Sequence, residues 1–259
     1  MESRTILLLL FFCCINCQLW SQGPPITAET PIMLGLEGSG VRTFGRYIST
    51  ENNRNYIHVI AVPYNLSPKF QVGAVFPFVF KNPKNTTSVN GFGDFTFFAK
   101  YQLYKKDGKA KTFRVLGRLA HTFPKGKTSG EPPIGSGLQQ TYLGLVVGHI
   151  NPKLGVYADV GYNFTNKNAT DNLAYNFSIG MPLLPHQYPQ KQVNAYLEIN
   201  GNYLLEPNIN QLFFSPGLQF IPGRRLLLET SFQLPVFQDK KVVDKINFQW
   251  LFGIRFLIS

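Results

Sequence analysis

The chain reads as an all-β protein, a single antiparallel up-and-down transmembrane β-barrel of about twelve strands. Three observations predict this. Apolar and polar residues alternate with period two over segments of about ten to fourteen residues, the connections between segments are alternately short and long, and no apolar run is long enough to cross a bilayer as a helix.

Composition sets the frame. Only 15% of the 259 residues are charged while 44% are hydrophobic, yet mean hydropathy is −0.05, so apolar residues are dispersed among polar ones. The longest apolar run, Ile6 to Cys17, follows Arg4 and precedes a polar stretch from Gln18. A helix across a bilayer needs about 20 apolar residues, so this run fits an export signal over residues 1–21, with a barrel over 22–259. Cys13, Cys14 and Cys17 all lie in that leader, so no disulfide or thiolate metal site is expected in the exported chain.

Alternation is clearest in three places. Leu154, Val156, Ala158, Val160, Tyr162 and Phe164 oppose Gly155, Tyr157, Asp159, Gly161 and Asn163. Val193, Ala195, Leu197 and Ile199 oppose Asn194, Tyr196, Glu198 and Asn200, and Phe248, Trp250, Phe252, Ile254 and Phe256 oppose Gln249, Leu251, Gly253 and Arg255. A soluble sandwich also alternates, but its strands have about five or six residues, whereas a tilted strand in a bilayer needs about nine to eleven. Hydrocarbon further demands closure, since an open sheet edge leaves backbone groups unsatisfied.

Strands are predicted over 40–49, 55–64, 69–80, 90–104, 111–123, 138–149, 153–165, 172–182, 192–204, 209–221, 224–236 and 245–258. With a periplasmic N-terminus, the short turns at 65–68, 105–110, 150–152 and 222–223 all fall inside, and the long connections 81–89 and 124–137 fall outside. This is the outer-membrane pattern. The connections 183–191, long for an inner turn, and 205–208, short for an outer loop, fit it less well.

Period two also assigns faces. Phe95, Phe97, Tyr101, Val156, Val160, Leu228, Phe232, Trp250 and Phe252 are expected to face lipid. Lys100, Arg114, Arg118, Asp159, Glu198 and Glu229 are expected to face the lumen and form a candidate constriction, with Arg118 opposite Glu229 at mid-height and Asp94 and Arg255 nearer the two ends.

The balance of 25 Lys and Arg against 14 Asp and Glu gives +11, but bases such as Lys105, Lys106, Lys109 and Lys111 flank turns, which suits a solvated rim next to anionic lipid and not a nucleic-acid surface. His58, His121, His149 and His186 lie in separate segments without a nucleophile motif or metal-ligand spacing, so neither catalysis nor a cofactor is expected. The terminal GIRFLI, from Gly253, resembles the signal by which barrels are handed to their insertion machinery, although Ser259 replaces the usual final aromatic.

Three further stretches, GFGDFTFFAKYQLY from Gly91, IGSGLQQTYLGLVVG from Ile134 and FSPGLQFIPGRRLLLETSFQLPV from Phe214, resemble the MetA-pathway of phenol degradation family of outer-membrane transporters. The resemblance implies a channel for small, hydrophobic molecules in the bacterial outer membrane, and it brings no catalytic residues. The competing readings are a structural or adhesive barrel without transport and a secreted β-sandwich.

Overall fold

Each strand of the chain bonds to the one before and after it in sequence, and the last returns to the first. The computed structural model describes residues 23–33, 38–84, 86–166, 169–185 and 191–258. The proposed leader with its cysteines, Gly35, His186 and Ser259 lie outside the described residues.

The strands are β1 (Gly40–Thr50), β2 (Asn53–Ser67), β3 (Phe70–Pro83), β4 (Val89–Phe92), β5 (Phe95–Gly108), β6 (Lys111–Phe123), β7 (Gln140–Ile150), β8 (Gly155–Thr165), β9 (Asn172–Pro182), β10 (Gln192–Leu204), β11 (Ile209–Ile221), β12 (Leu226–Gln238) and β13 (Ile246–Leu257). All pairings are antiparallel, and β1 closes on β13 from Gly40↔Leu257 to Thr50↔Ile246. β4 and β5 are two halves of one strand. β3 pairs with β5 from Phe70 to Val75 and with β4 from Phe78 to Lys81, and between them the Gly93 N–H donates to the Pro77 carbonyl at 2.9 Å. The predicted strand over 90–104 is therefore real but interrupted at Gly93 and Asp94. A proline opposite cannot donate to the ladder, and pairing shifts there. Thirteen segments thus form a closed barrel of twelve strands, in which the short outer segment β4 pairs on one side only, with β3.

The inner turns are short except for 183–191, and the β5–β6 turn is only Lys109 and Ala110, with Ala110 at φ +56°. At the outer end the loop 124–139 is the longest, while β1 and β2 join through two residues, 51 and 52, because both strands run further than alternation alone predicts.

The two faces separate cleanly. Phe97, Tyr101, Val160, Leu228, Phe232, Trp250 and Phe252 are exposed on the outside, where an apolar belt meets lipid. Phe95 and Val156 lie on the same face, half-covered by neighbours, with the Phe95 ring stacked 5.4 Å from that of Phe123. Lys100, Asp159, Glu198, Gln219, Glu229 and Gln249 are buried toward the interior.

Candidate functional site

The interior is occupied by the chain's own residues 23–33, which precede β1 and lack any alternation. Pro24, Pro25 and Pro31 hold this segment out of any sheet, since proline has no N–H to donate to a ladder. The barrel wall supplies the partners that its backbone needs. Tyr157 and Tyr196 both donate to the Gly23 carbonyl, Gln219 Nε2 donates to the Pro24 carbonyl at 3.0 Å, and Arg255 Nη2 donates to the Pro25 carbonyl at 2.6 Å. Arg42 Nη2 donates to the Ile26 carbonyl at 2.6 Å, while the Ile26 and Thr27 N–H groups donate to the two oxygens of Glu198 at 2.9 and 2.7 Å. The Glu29 N–H donates to Asp159 at 2.9 Å.

These contacts come from β1, β8, β10, β11 and β13, so the segment is gripped across the lumen and not merely laid on one wall. Apolar contacts complete the seat. The fully buried Ile26 packs with Ile150, Tyr157, Tyr196 and Leu251, flanked by Phe44, and Met33 packs with Leu116 and Val146. Two wall glycines make room for it, because a Cβ at Gly148 would stand 2.5 Å from Pro31 Cγ and one at Gly217 would stand 2.5 Å from Ile26 Cδ1. The segment enters near the inner turns, by Tyr157 and Tyr196, and reaches mid-height at Glu29. Past Glu29, Pro31 lies beside Gly148 and Met33 beside Leu116 and Val146, nearer the inner end again.

Two charge clusters lie at this level. Glu29 of the plug meets Lys100 of β5 at 2.5 Å and Arg118 of β6 at 3.3 Å, and Arg118 also stacks over the Tyr142 ring at 4.9 Å. Burial alone would raise the Glu29 carboxyl, but the adjoining Arg118 and Lys100 hold it well below the usual carboxylate range. In the second cluster, Glu229 of β12 meets Arg42 at 2.7 Å and Arg255 at 2.8 Å, and its own side chain has no exposed surface.

Of the residues expected in the lumen, Lys100 and Arg118 come together through Glu29, and Asp159 and Glu198 come together by binding the plug backbone. Arg114 shares their face but lies near the inner turn and bonds Thr112 at 3.1 Å. Arg118 and Glu229 lie on opposite walls but do not meet, because each has its own counter-ions and the plug runs between them. Asp94 sits at the outer end, accepting from the Gly126 N–H and from the Ser136 N–H and hydroxyl at 2.8, 2.6 and 2.7 Å, which folds the loop 124–139 inward.

A family model described as "Putative MetA-pathway of phenol degradation" matches residues 45–218 of the 259. The chain belongs to this family. Among solved structures, this phenol-degradation family barrel is similar to an outer-membrane channel from Pseudomonas putida F1, at 11% identity and a TM-score of 0.71, covering 90% of this chain and 100% of that one. It is also similar to the beta domain of the Bordetella autotransporter BrkA, at 12% identity and a TM-score of 0.50, covering 85% and 98%. At such identities the likeness is one of fold, and the fold is that of a bacterial outer-membrane channel. No curated protein matches the chain.

Alternation missed Glu29 and the plug as a whole, because the plug has no periodicity to read; Arg42 lies on the predicted first strand but is not among the residues expected in the lumen. A signal was nonetheless present. Lys100 and Arg118 put two bases on one inward wall with no acid beside them in the sheet, an imbalance that calls for a carboxylate from elsewhere.

Proposed function

We propose that this barrel is a passive channel for small molecules whose lumen is closed by its own residues 23–33 and opens when that segment leaves its seat. One observation carries the reading: the backbone of a segment outside the sheet is bound by side chains from opposite walls of the barrel, at the level where the luminal charges converge. A barrel serving only as a scaffold has no need of a polar seat for a removable occupant.

In the open state Lys100, Arg114, Arg118, Asp159, Glu198 and Glu229 form the constriction. Arg42 and Arg255 add to its basic side, as does Arg46, which shares the luminal register of the buried Leu251. A pore so lined favours anions. No catalytic chemistry is assigned to it. Removal of a leader over residues 1–21 leaves the new terminus next to Gly23, at the periplasmic end where the plug enters, and the terminal GIRFLI is the handle for insertion into outer-membrane lipid. Small hydrophobic solutes, which the family name suggests, suit the apolar part of the lumen.

Conductance in planar bilayers tests the gate. Deleting residues 23–33 is expected to raise single-channel conductance several-fold over the intact chain. Gly148→Val, which crowds Pro31 without altering charge, is expected to raise the open probability. Unchanged currents in both variants would refute the gate, and no current from either would favour a structural barrel. In the deleted form, neutralising Arg114 and Arg118 together is expected to move ion preference toward cations.

A further inference from the structure

Between the plug and the wall formed by β1, β2, β3, β5, β6, β11, β12 and β13 lies a cavity of about 590 Å³, within the range of about 300 to 1,000 Å³ typical of small-molecule sites. It runs from the inner rim, where Arg224 and Arg225 stand, up to Glu29, Lys100 and Arg118 at mid-height. Its lining divides into two chemistries. Met33, Phe44, Val75, Phe98 and Leu227 supply apolar and aromatic surface, while Arg42, Lys100, Arg118 and Arg255 supply fixed cations against only two carboxylates, Glu29 and, behind Arg42 and Arg255, Glu229.

The two carboxylates differ in attachment. Glu229 is part of the wall, so its ion pairs with Arg42 and Arg255 do not depend on the plug. Glu29 sits on a segment outside the sheet, so if the plug departs Lys100 and Arg118 lose the one carboxylate that bridges them and are open to another anion. We propose that this cavity binds an amphipathic organic anion, a carboxylate carried on an aromatic or short aliphatic body. Its carboxylate takes the place of Glu29 on Lys100 and Arg118, and its body lies along Phe98, Phe44 and Val75. The proposal deepens the channel reading and rests on it, since it names the class of solute that would unseat the plug. In these terms Glu29 is a tethered mimic of the ligand. A neutral solute of the same shape fills the apolar half but has nothing to exchange for Glu29.

Calorimetric titration of the full-length protein in detergent at neutral pH tests this with three probes. Benzoate is expected to bind at least about tenfold more tightly than benzyl alcohol, which lacks the charge, and than acetate, which lacks the ring. Lys100→Met and Arg118→Gln are each expected to weaken benzoate about tenfold without affecting benzyl alcohol. Glu29→Gln is expected to tighten benzoate, because the competitor is gone, whereas a purely structural Glu29 would leave affinity unchanged or lower it. Heat-modifiable migration on gels verifies that each variant is folded. Equal binding of benzoate and benzyl alcohol would overturn the proposal, as would unchanged benzoate affinity in both cation variants or no gain from Glu29→Gln. If these titrations succeed while the plug-deleted barrel carries no current, the site stands and the channel reading falls. If the barrel conducts and benzoate does not bind, the reverse holds.

Discussion

Glu229 and Glu29 each bridge two cations in the same lumen, one from within the wall and the other from a segment threaded through it. The wall cluster joins β12 to β1 and β13 across the seam where the last strand meets the first, with its acid fully enclosed. The plug cluster joins β5 and β6 to residues that belong to no strand, and Glu29 keeps about a quarter of its side-chain surface exposed. A fully enclosed carboxylate is costly to strip of its partners and is fixed to the wall by its own strand. A partly hydrated pair on a removable segment can dissociate while the barrel stays intact. On the proposed gate, the same chemistry serves closure of the barrel in one place and reversible occupancy in the other.

The largest effect expected from this contrast is at Glu229. Glu229→Leu strands Arg42 and Arg255 beside each other and should cost about 3 to 5 kcal/mol, read as a fall in the temperature at which the compact form is lost on gels. Adding Arg42→Leu and Arg255→Leu should restore most of that loss, although Pro25 and Ile26 then lose their donors and the plug loosens. A barrel as stable with Glu229→Leu alone as without it would dissolve the distinction between the clusters.

The outer face supplies a yardstick for the wall. Phe232 is exposed to lipid and its ring stacks on Trp250 at 5.7 Å, so Phe232→Arg should cost roughly 2 to 4 kcal/mol in a bilayer. Chemical denaturation in lipid vesicles measures it. No loss would mean that the two faces of β12 are exchanged, which a shift of one residue produces.

Acid should separate the clusters next. The Glu29 carboxyl is more acidic docked than free, because Arg118 and Lys100 outweigh its burial, so docking is fully supported above the ordinary value of 4.5 and weakens as pH falls below it. Amide exchange over residues 23–33 should be unchanged from pH 7 to about 5. Below that, protection should fall by up to about 1.4 kcal/mol per unit until the docked carboxyl itself protonates. The barrel strands should hold their protection over the window in which the plug loses its own. Loss of both together would mean that the plug is part of the fold and no gate.

How much of this was legible beforehand follows from periodicity. Val160 outward and Asp159 inward, or Trp250 outward and Gln249 inward, were readable because a strand in lipid must alternate. Strand ends were less so. β1 and β2 run on to a two-residue outer turn, since Thr50 and Asn53 are held at 2.6 and 2.5 Å by Asp244, which precedes the neighbouring strand β13 and so is close in space but 191 or more residues away in sequence. The candidate site was half legible. Its wall residues lie on strands, and parity found Lys100, Arg118, Asp159, Glu198 and Glu229. Their partners on the plug were hidden, because Glu29 sits among prolines and its position depends on carbonyl and N–H groups that any sequence presents.

The smallest effect is expected at the opposite mouth, where Asp94 fastens the loop 124–139. Its carboxylate oxygens accept three hydrogen bonds from Gly126 and Ser136, and the Lys81 ammonium donates to the Pro133 carbonyl of the same loop at 2.6 Å. Asp94→Asn retains one acceptor oxygen and loses the charge that strengthens these bonds, so the loop should loosen by about 1 kcal/mol. Limited proteolysis between residues 124 and 139 should quicken accordingly, by about fivefold if cleavage follows the open population. Asp94 lies at the break between β4 and β5, in the outer part of their combined strand, and the plug enters from the inner end, so amide protection over residues 23–33 should be unaffected. A gain of conductance in Asp94→Asn with the plug still protected would place a second barrier at the outer loop, in series with the first. Loss of plug protection in that variant would instead show that the two mouths are coupled through the interrupted strand at Gly93 and Asp94, and the contrast between a fixed wall and a removable segment would have to include the wall itself.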